Sequence, residues 1–466
     1  MVVALVASIV AVPPSRGSEE PAELQTAIVD AAFAGQDAQR AFGEVPDTGA
    51  TFVRLVLTWP LVAPESRPPG FDASDPEDPA YDWQGFDAQV LGAEEQGLKV
   101  IVDINDAPRW ARARQGRGGP YKPDPVALAQ FAKAAATRYS GRVENLPRAR
   151  YWQLWNEPNL AVSLRPQFVG NTLYSPGWYR KMLNAFADAI HSVRSDNLVI
   201  AGGTSPFTSR AGQRSSWGPG PLLFLRTLLC LSKQLKPTCS ERARFDIWSH
   251  HPYTSGGPSH HANIADDVSV GDLPRMKAVL DAGVSTGHIV SQHKLRFWVT
   301  EFSWDTNPPD PNAMPIVLQT RWVSEALYTM WKAGVSLVTW YLLEDQPVAR
   351  SPYQSGLYFH NRKPKPSLRA FRFPFVAFSG ATGIDVWGRA PSSRPGTIVV
   401  EQRTGASWKR FGVLRTNAFG IFKAHYGSKA AGPLRARLVD STPDVSQPFS
   451  LKEPPDHFYR PFGEPK

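Results

Sequence analysis

YWQLWNEPNL, residues 151–160, decides how this chain is read. It begins as a run of apolar and aromatic residues suited to a buried strand and breaks off at Pro158, which cannot continue a strand's hydrogen-bond ladder. Glu157 is thereby left at the strand's carboxyl end, where a parallel barrel keeps its chemistry. A carboxylate framed by Trp155, Asn156 and Pro158 is expected to be partly desolvated, with a pKa raised toward that of a working acid. RFWVTEFSWDT, residues 296–306, repeats the arrangement, a β-rich run delivering Glu301 into a second loop of aromatic and polar residues.

Outward from these two stretches the chain alternates. Strand-like runs are expected at 23–31, 51–59, 99–105, 150–156, 198–204, 245–253, 296–302 and 337–343. Helical segments follow them, the clearest being 124–141, with an Asp-Pro start and a Gly stop. The last is KPSLRAFRFPFVAF, residues 365–378. Runs apolar on both faces and separated by crossover helices imply a parallel α/β sheet, and eight such units close into a (β/α)8 barrel. An open doubly wound sheet is the alternative, disfavoured because no Gly-rich phosphate loop follows the first strand. From Ser379 short strands and turns take over, at 382–390, 396–405, 407–415, 420–426 and 434–439, as in a small antiparallel β-sandwich. The expected division is an apolar leader over 1–20, a barrel over 22–378, and a C-terminal β-sandwich with a Pro-rich tail over 379–466. In that tail PFS and FYRPF are expected to pack back on the barrel.

The net charge of +9 is unevenly placed: residues 361–466 hold 18 Lys+Arg against 7 Asp+Glu. No run of five basic residues occurs, which argues against nucleic acid and for attraction to an acidic glycan or a cell surface. Fifteen Trp and 43 Pro suit a loop-rich protein with flat aromatic platforms on its working face. MVVALVASIVAVPPSRG at the start resembles the apolar region of a secretory signal without its basic flank, and is too short for a membrane span. Secretion or display at the cell surface, as a monomer, is the expectation. Cys230 and Cys239 are spaced for a local disulfide, two unpaired thiols being the alternative.

Strand ends of a barrel surround one pocket, so its residues are read off in turn. Arg54, inside the apolar second run, must point at a carboxylate. Asp103 and Asn105 end the third and suit either sugar hydroxyls or loop caps. Asn156 and Glu157 end the fourth. In the sixth, alternation sends His251 and Tyr253 one way and His250 the other, as a core histidine. Glu301 ends the seventh, and Trp340 in the eighth is either a sugar platform or core, with Glu344 and Asp345 beyond it. No metal-ligand spacing and no GxSxG elbow occurs, and no cofactor is called for. Two strand-end glutamates are what cleavage of a glycosidic bond requires.

WNEPN on the fourth strand, TEF on the seventh, Arg on the second, HPY on the sixth and Trp on the eighth together resemble the retaining glycoside hydrolases of clan A, near the family 5 cellulase-like and family 39 xylosidase-like members. The resemblance implies Glu157 as acid/base and Glu301 as nucleophile, Asn156 holding a sugar 2-hydroxyl, Arg54, His251 and Tyr253 orienting the nucleophile, and Trp340 flooring the pocket. One departure is Asp103 and Asn105 where cellulase-like members often carry a His, so cellulose is not implied as substrate. Other readings of the same residues are a transglycosylase and a glycan-binding protein on an inactive barrel; retention of both glutamates with Arg54 and Tyr253 disfavours the latter. Exo or endo action rests on the loops at 60–80, 205–221 and 254–271.

Overall fold

The structure, a computed structural model, describes residues 20–112, 122–208, 218–348, 353–439 and 444–454. The expected leader up to residue 19 and the FYRPF segment at 458–462 lie outside them. Eight parallel strands close into a barrel: β1 (Gln25–Val29), β2 (Phe52–Thr58), β3 (Lys99–Asn105), β4 (Tyr151–Leu154), β5 (Leu198–Thr204), β6 (Ile247–His250), β7 (Arg296–Phe302) and β8 (Val335–Tyr341). β1 pairs with both β2 and β8, so the first and last strands form the seam. The helices that follow each strand are α1 (Ala38–Glu44), α2 (Gln84–Glu95), α3 (Pro125–Arg138), α4 (Ser175–Val193), α5 (Pro221–Leu228), α6 (Leu273–Ser285), α7 (Ile316–Lys332) and α8 (Pro366–Arg372). α3 starts as its Asp-Pro signal predicts: the Asp124 carboxylate accepts from the amides of Val126 and Ala127, with Pro125 in the first turn.

The barrel interior is layered. Its lower part is an apolar plug of Ala27, Phe52, Ile101, Ile200, Trp298 and Leu337, with Tyr151 packed against it. Above it the same inward positions turn polar: Arg54 two residues after Phe52, Asp103 after Ile101, Gln153 after Tyr151, Thr300 after Trp298. The plug excludes water from below, so the polar layer is open only toward the strands' carboxyl ends.

Residues 365–378 do not form one helix. Pro374 cannot continue α8, and the chain re-enters as β9 (Phe375–Ser379), the first strand of the antiparallel region, so that region starts before Ser379. With β10 (Ile384–Arg389), β11 (Thr397–Thr404), β12 (Ser407–Arg415), β13 (Ile421–Tyr426) and β14 (Leu434–Leu438) it makes two three-stranded sheets, ordered β9-β10-β13 and β12-β11-β14. These sheets join the barrel through buried contacts. Trp387 packs on Tyr328 and Trp331 of α7, centroids 5.4 Å apart in each case. Arg389, fully buried, donates to the Thr26 hydroxyl of β1 (3.2 Å) and to the Phe371 carbonyl of α8 (3.3 Å). A guanidinium without water must find such acceptors, and burial lowers its pKa to about 10. Cys230 and Cys239 form a disulfide in the segment after α5. Among the described residues, no helix is long and apolar enough to cross a membrane.

Candidate active site

The loop after β4 is held in an unfavourable backbone shape. Trp155 and Glu157 have φ of 68° and 46°, a region that side-chain-bearing residues avoid. Two anchors hold it. The Glu157 amide donates to the Gly203 carbonyl at 2.9 Å. The Asn159 side chain bonds Ser205 at both ends, accepting from its amide (2.9 Å) and donating to its carbonyl (3.0 Å). Gly203 sits at φ 56° in a bulge where β5 carries one residue more than β6, and a Cβ there would stand 2.9 Å from Gln153 Nε2. The paired glycines of LVIAGGT thus let the fifth strand support the fourth strand's glutamate.

A second bulge sets the other glutamate. β7 gains one residue on β8 between Val299 and Phe302. In a regular strand Thr300 and Glu301 would face opposite ways. The extra residue turns both inward, and both meet His251: Thr300 Oγ1 at 3.2 Å from Nε2, and Glu301 Oε2 at 3.2 Å from Nδ1. Glu157 Oε1 lies 3.2 Å from the same Nδ1. A threonine hydroxyl donating to Nε2 leaves the proton on Nδ1, between the two carboxylates. Burial holds the His251 pKa down at about 4, so the ring is a neutral bridge.

Arg54 lies beneath this trio. Its Nη2 donates to Asp103 (2.8 Å) and to Asn156 Oδ1 (2.8 Å), and Nη1 stands 3.8 Å from Glu301. With the Asn156 oxygen occupied, its NH2 is left to donate elsewhere. Three carboxyl groups thus crowd one guanidinium. Burial pushes Glu157 up to about 7, with Arg54 opposing. Burial also pushes Asp103 up to about 6, with Arg54 opposing and Glu301 adding to it. Tyr253 is hydrogen-bonded to Glu301, and burial raises its own pKa. A cavity of about 160 Å³ opens above the two glutamates. Tyr253, Tyr341 and Tyr353 form one wall; Leu160, Pro206 and Phe207 form another.

The structure brings together Arg54, Asn156, Glu157, His251, Tyr253 and Glu301. Two expectations are corrected. Trp340 is neither floor nor platform: it is 1% exposed on the outer face of β8, packed on Phe302 and on Phe371 of α8, with its indole N–H on the Ser355 carbonyl (2.8 Å). Alternation gives the inward position to its neighbour Tyr341. Asp103, 0% exposed, holds Arg54 and does not reach the cavity. Asn105 is half-buried at the end of β3. His250 is the core histidine expected, set between Thr204 Oγ1 (2.8 Å) and the Val268 carbonyl (3.0 Å). Beyond β8, Glu344 pairs with Arg40 and Asp345 with buried Lys365. Residues not foreseen are Tyr341, Tyr353, Phe207 and Thr300. Tyr341 stands beside Trp340 in LVTWYLL, a run too evenly apolar to show which of the two faces inward. Among the described residues, no three His, Cys, Asp or Glu side chains are grouped to hold a metal ion.

Glu157, just after β4, and Glu301, in β7, meet at the carboxyl mouth of a (β/α)8 barrel, the arrangement of a glycoside hydrolase. The model of the Cellulase (glycosyl hydrolase family 5) domain matches residues 18–333, and the chain belongs to that family. Among solved structures it is similar to a family 39 glycoside hydrolase from Bacteroides cellulosilyticus, at 15% identity and a TM-score of 0.52, covering 87% of this chain and 81% of that one. It is also similar to a family 39 enzyme from Xanthomonas axonopodis pv. citri, at 15% identity and a TM-score of 0.50, covering 87% and 92%. At these identities the likeness establishes the barrel fold. No curated protein matches the chain.

Proposed function

We propose that the protein is a retaining glycosidase acting on β-linked sugars by double displacement. The observation that carries this is the meeting of Glu157 and Glu301 at one atom, His251 Nδ1, 3.2 Å from each. Their nearest oxygens are therefore separated by at most twice that distance. This is compatible with the spacing of about 5 to 5.5 Å at which one carboxylate attacks directly.

In the proposed reaction a Glu301 oxygen bonds to the anomeric carbon as the bond to the leaving oxygen breaks, and Glu157 gives that oxygen its proton. Water then adds to the anomeric carbon, Glu157 takes a proton from it, and Glu301 is released. The raised pKa of Glu157 fits the acid, and Tyr253 and Arg54 both face Glu301. In this reading the Asn156 amide meets the sugar 2-hydroxyl, and Tyr341, in place of Trp340, faces the ring. Secretion is supported by the disulfide, and a buttress role for the C-terminal sheets by Trp387 and Arg389.

Intact-mass analysis after incubation with activated 2-fluoro β-glycosides of glucose, xylose, galactose and arabinose tests the proposal. A single adduct on the Glu301 peptide is expected and names the sugar. An adduct on any other residue contradicts the assignment.

A further inference from the structure

We infer that a second carbohydrate site, specific for acidic polysaccharide, lies on the opposite face of the molecule from the catalytic mouth. A groove of about 740 Å³ runs between α8 and the β12-β11-β14 sheet. Arg369 and Arg372 form the helix wall, and Arg403, Trp408 and Arg435 the sheet wall. Pairing of Arg403 with Trp408 and of Glu401 with Arg435 puts these sheet residues on one face. Arg372 donates to the carbonyls of Pro46 and Asp47, in the turn that leads into β2. That turn belongs to the amino-terminal face of the barrel, so a polymer in the groove does not obstruct the glutamates.

The chemistry of the walls selects the ligand. Carboxylates near the groove are already engaged: Asp444 by Arg372 (3.1 Å) and Arg394 (3.6 Å), Glu401 by Arg435 (2.8 Å) and Arg437 (2.9 Å). Each has two guanidinium partners, and Arg369 and Arg403 add further positive charge to the groove. The Arg435 guanidinium lies 4.1 Å from the centre of the Trp408 ring, which keeps a half-buried indole fixed among the cations. A flat apolar surface flanked by planar, forked donors suits a sugar ring bearing a carboxylate. Arg369, Arg372, Arg403 and Arg435, part of the basic excess of residues 361–466 that the catalytic site does not use, line the groove. The inference rests on carbohydrate being the substrate class and not on the retaining mechanism.

Affinity electrophoresis of the full chain through gels containing polygalacturonate or neutral galactomannan, with activity on an aryl glycoside measured in parallel, tests it. Retardation by polygalacturonate alone is expected, weakened about tenfold by Arg369→Glu combined with Arg403→Glu and separately by Trp408→Ala, with kcat/KM on the aryl glycoside unchanged. Four results would each overturn the site: no retardation, equal retardation in galactomannan, no effect of the substitutions, or equal retardation by duplex DNA at matched charge. None of the four bears on the aryl-glycoside rate, so failure here is distinct from failure of the catalytic assignment.

Discussion

Arg54 is bound to Asp103 and only approaches Glu301: its Nη2 is 2.8 Å from the aspartate, while Nη1 is 3.8 Å from the glutamate. The fully buried partner anchors the guanidinium, and the less buried one feels its field. Arg54→Met therefore strands a buried carboxyl group and is expected to cost about 3 to 5 kcal/mol in chemical denaturation. Adding Asp103→Leu should return much of that stability while turnover stays low. Recovery of turnover in the double variant would show that Arg54 matters only for folding.

Glu157 is expected to set the alkaline limb of the pH profile. Its pKa of about 7 lies above the ordinary 4.5, so kcat/KM should fall as pH rises through about 7. Between about pH 4.5 and 7 the folded state holds a proton that the unfolded chain has released, so stability declines with rising pH across that range. Glu157→Gln removes this term. Its melting temperature should exceed that of the parent at about pH 8 and approach it at about pH 4.

Leaving-group dependence separates the two glutamates. Glu157→Ala should reduce turnover of aryl glycosides with good leaving groups far less than those with poor ones, because only the latter need a proton. Glu301→Ala should abolish both, with azide restoring some turnover as the opposite anomer, read by NMR. Rescue with the same anomer is incompatible with Glu301 as nucleophile.

Trp340 and Tyr341 are adjacent and should separate cleanly. Trp340→Ala empties a core site and is expected to destabilise by about 3 to 5 kcal/mol. Tyr341→Ala should leave the melting temperature close to that of the parent and raise KM. A rise in KM for the tryptophan variant without loss of stability would reverse the assignment.

The disulfide closes a short loop, so Cys230→Ser combined with Cys239→Ser should cost about 2 to 3 kcal/mol. Denaturation midpoints measure this, and kcat/KM should be unaffected.

Much of the fold was legible because buried parallel strands are written as unbroken apolar runs with helices between them. Glu157 and Glu301 were legible because each follows such a run. What was hidden is sidedness. A strand apolar on both faces gives no alternation to read, so LVTWYLL did not reveal that Tyr341, and not Trp340, turns inward. The bulge at Thr300 and Glu301 breaks the period of two over a single residue, below what a pattern resolves. Tyr353 and Phe207 lie on loops without any period. Asp103 looked like a ligand because its burial depends on Arg54, which comes from another strand.

The seam between β1 and β8, with Arg389 bonded to both β1 and the end of α8, has a consequence for synthesis. Residues 25–29 emerge from the ribosome early and have no partner on one side until residues 335–341 follow, and no anchor until Arg389 does. The first strand of the barrel is thus among the last of its strands to be secured, and until β8 follows its exposed edge needs shielding from other nascent chains.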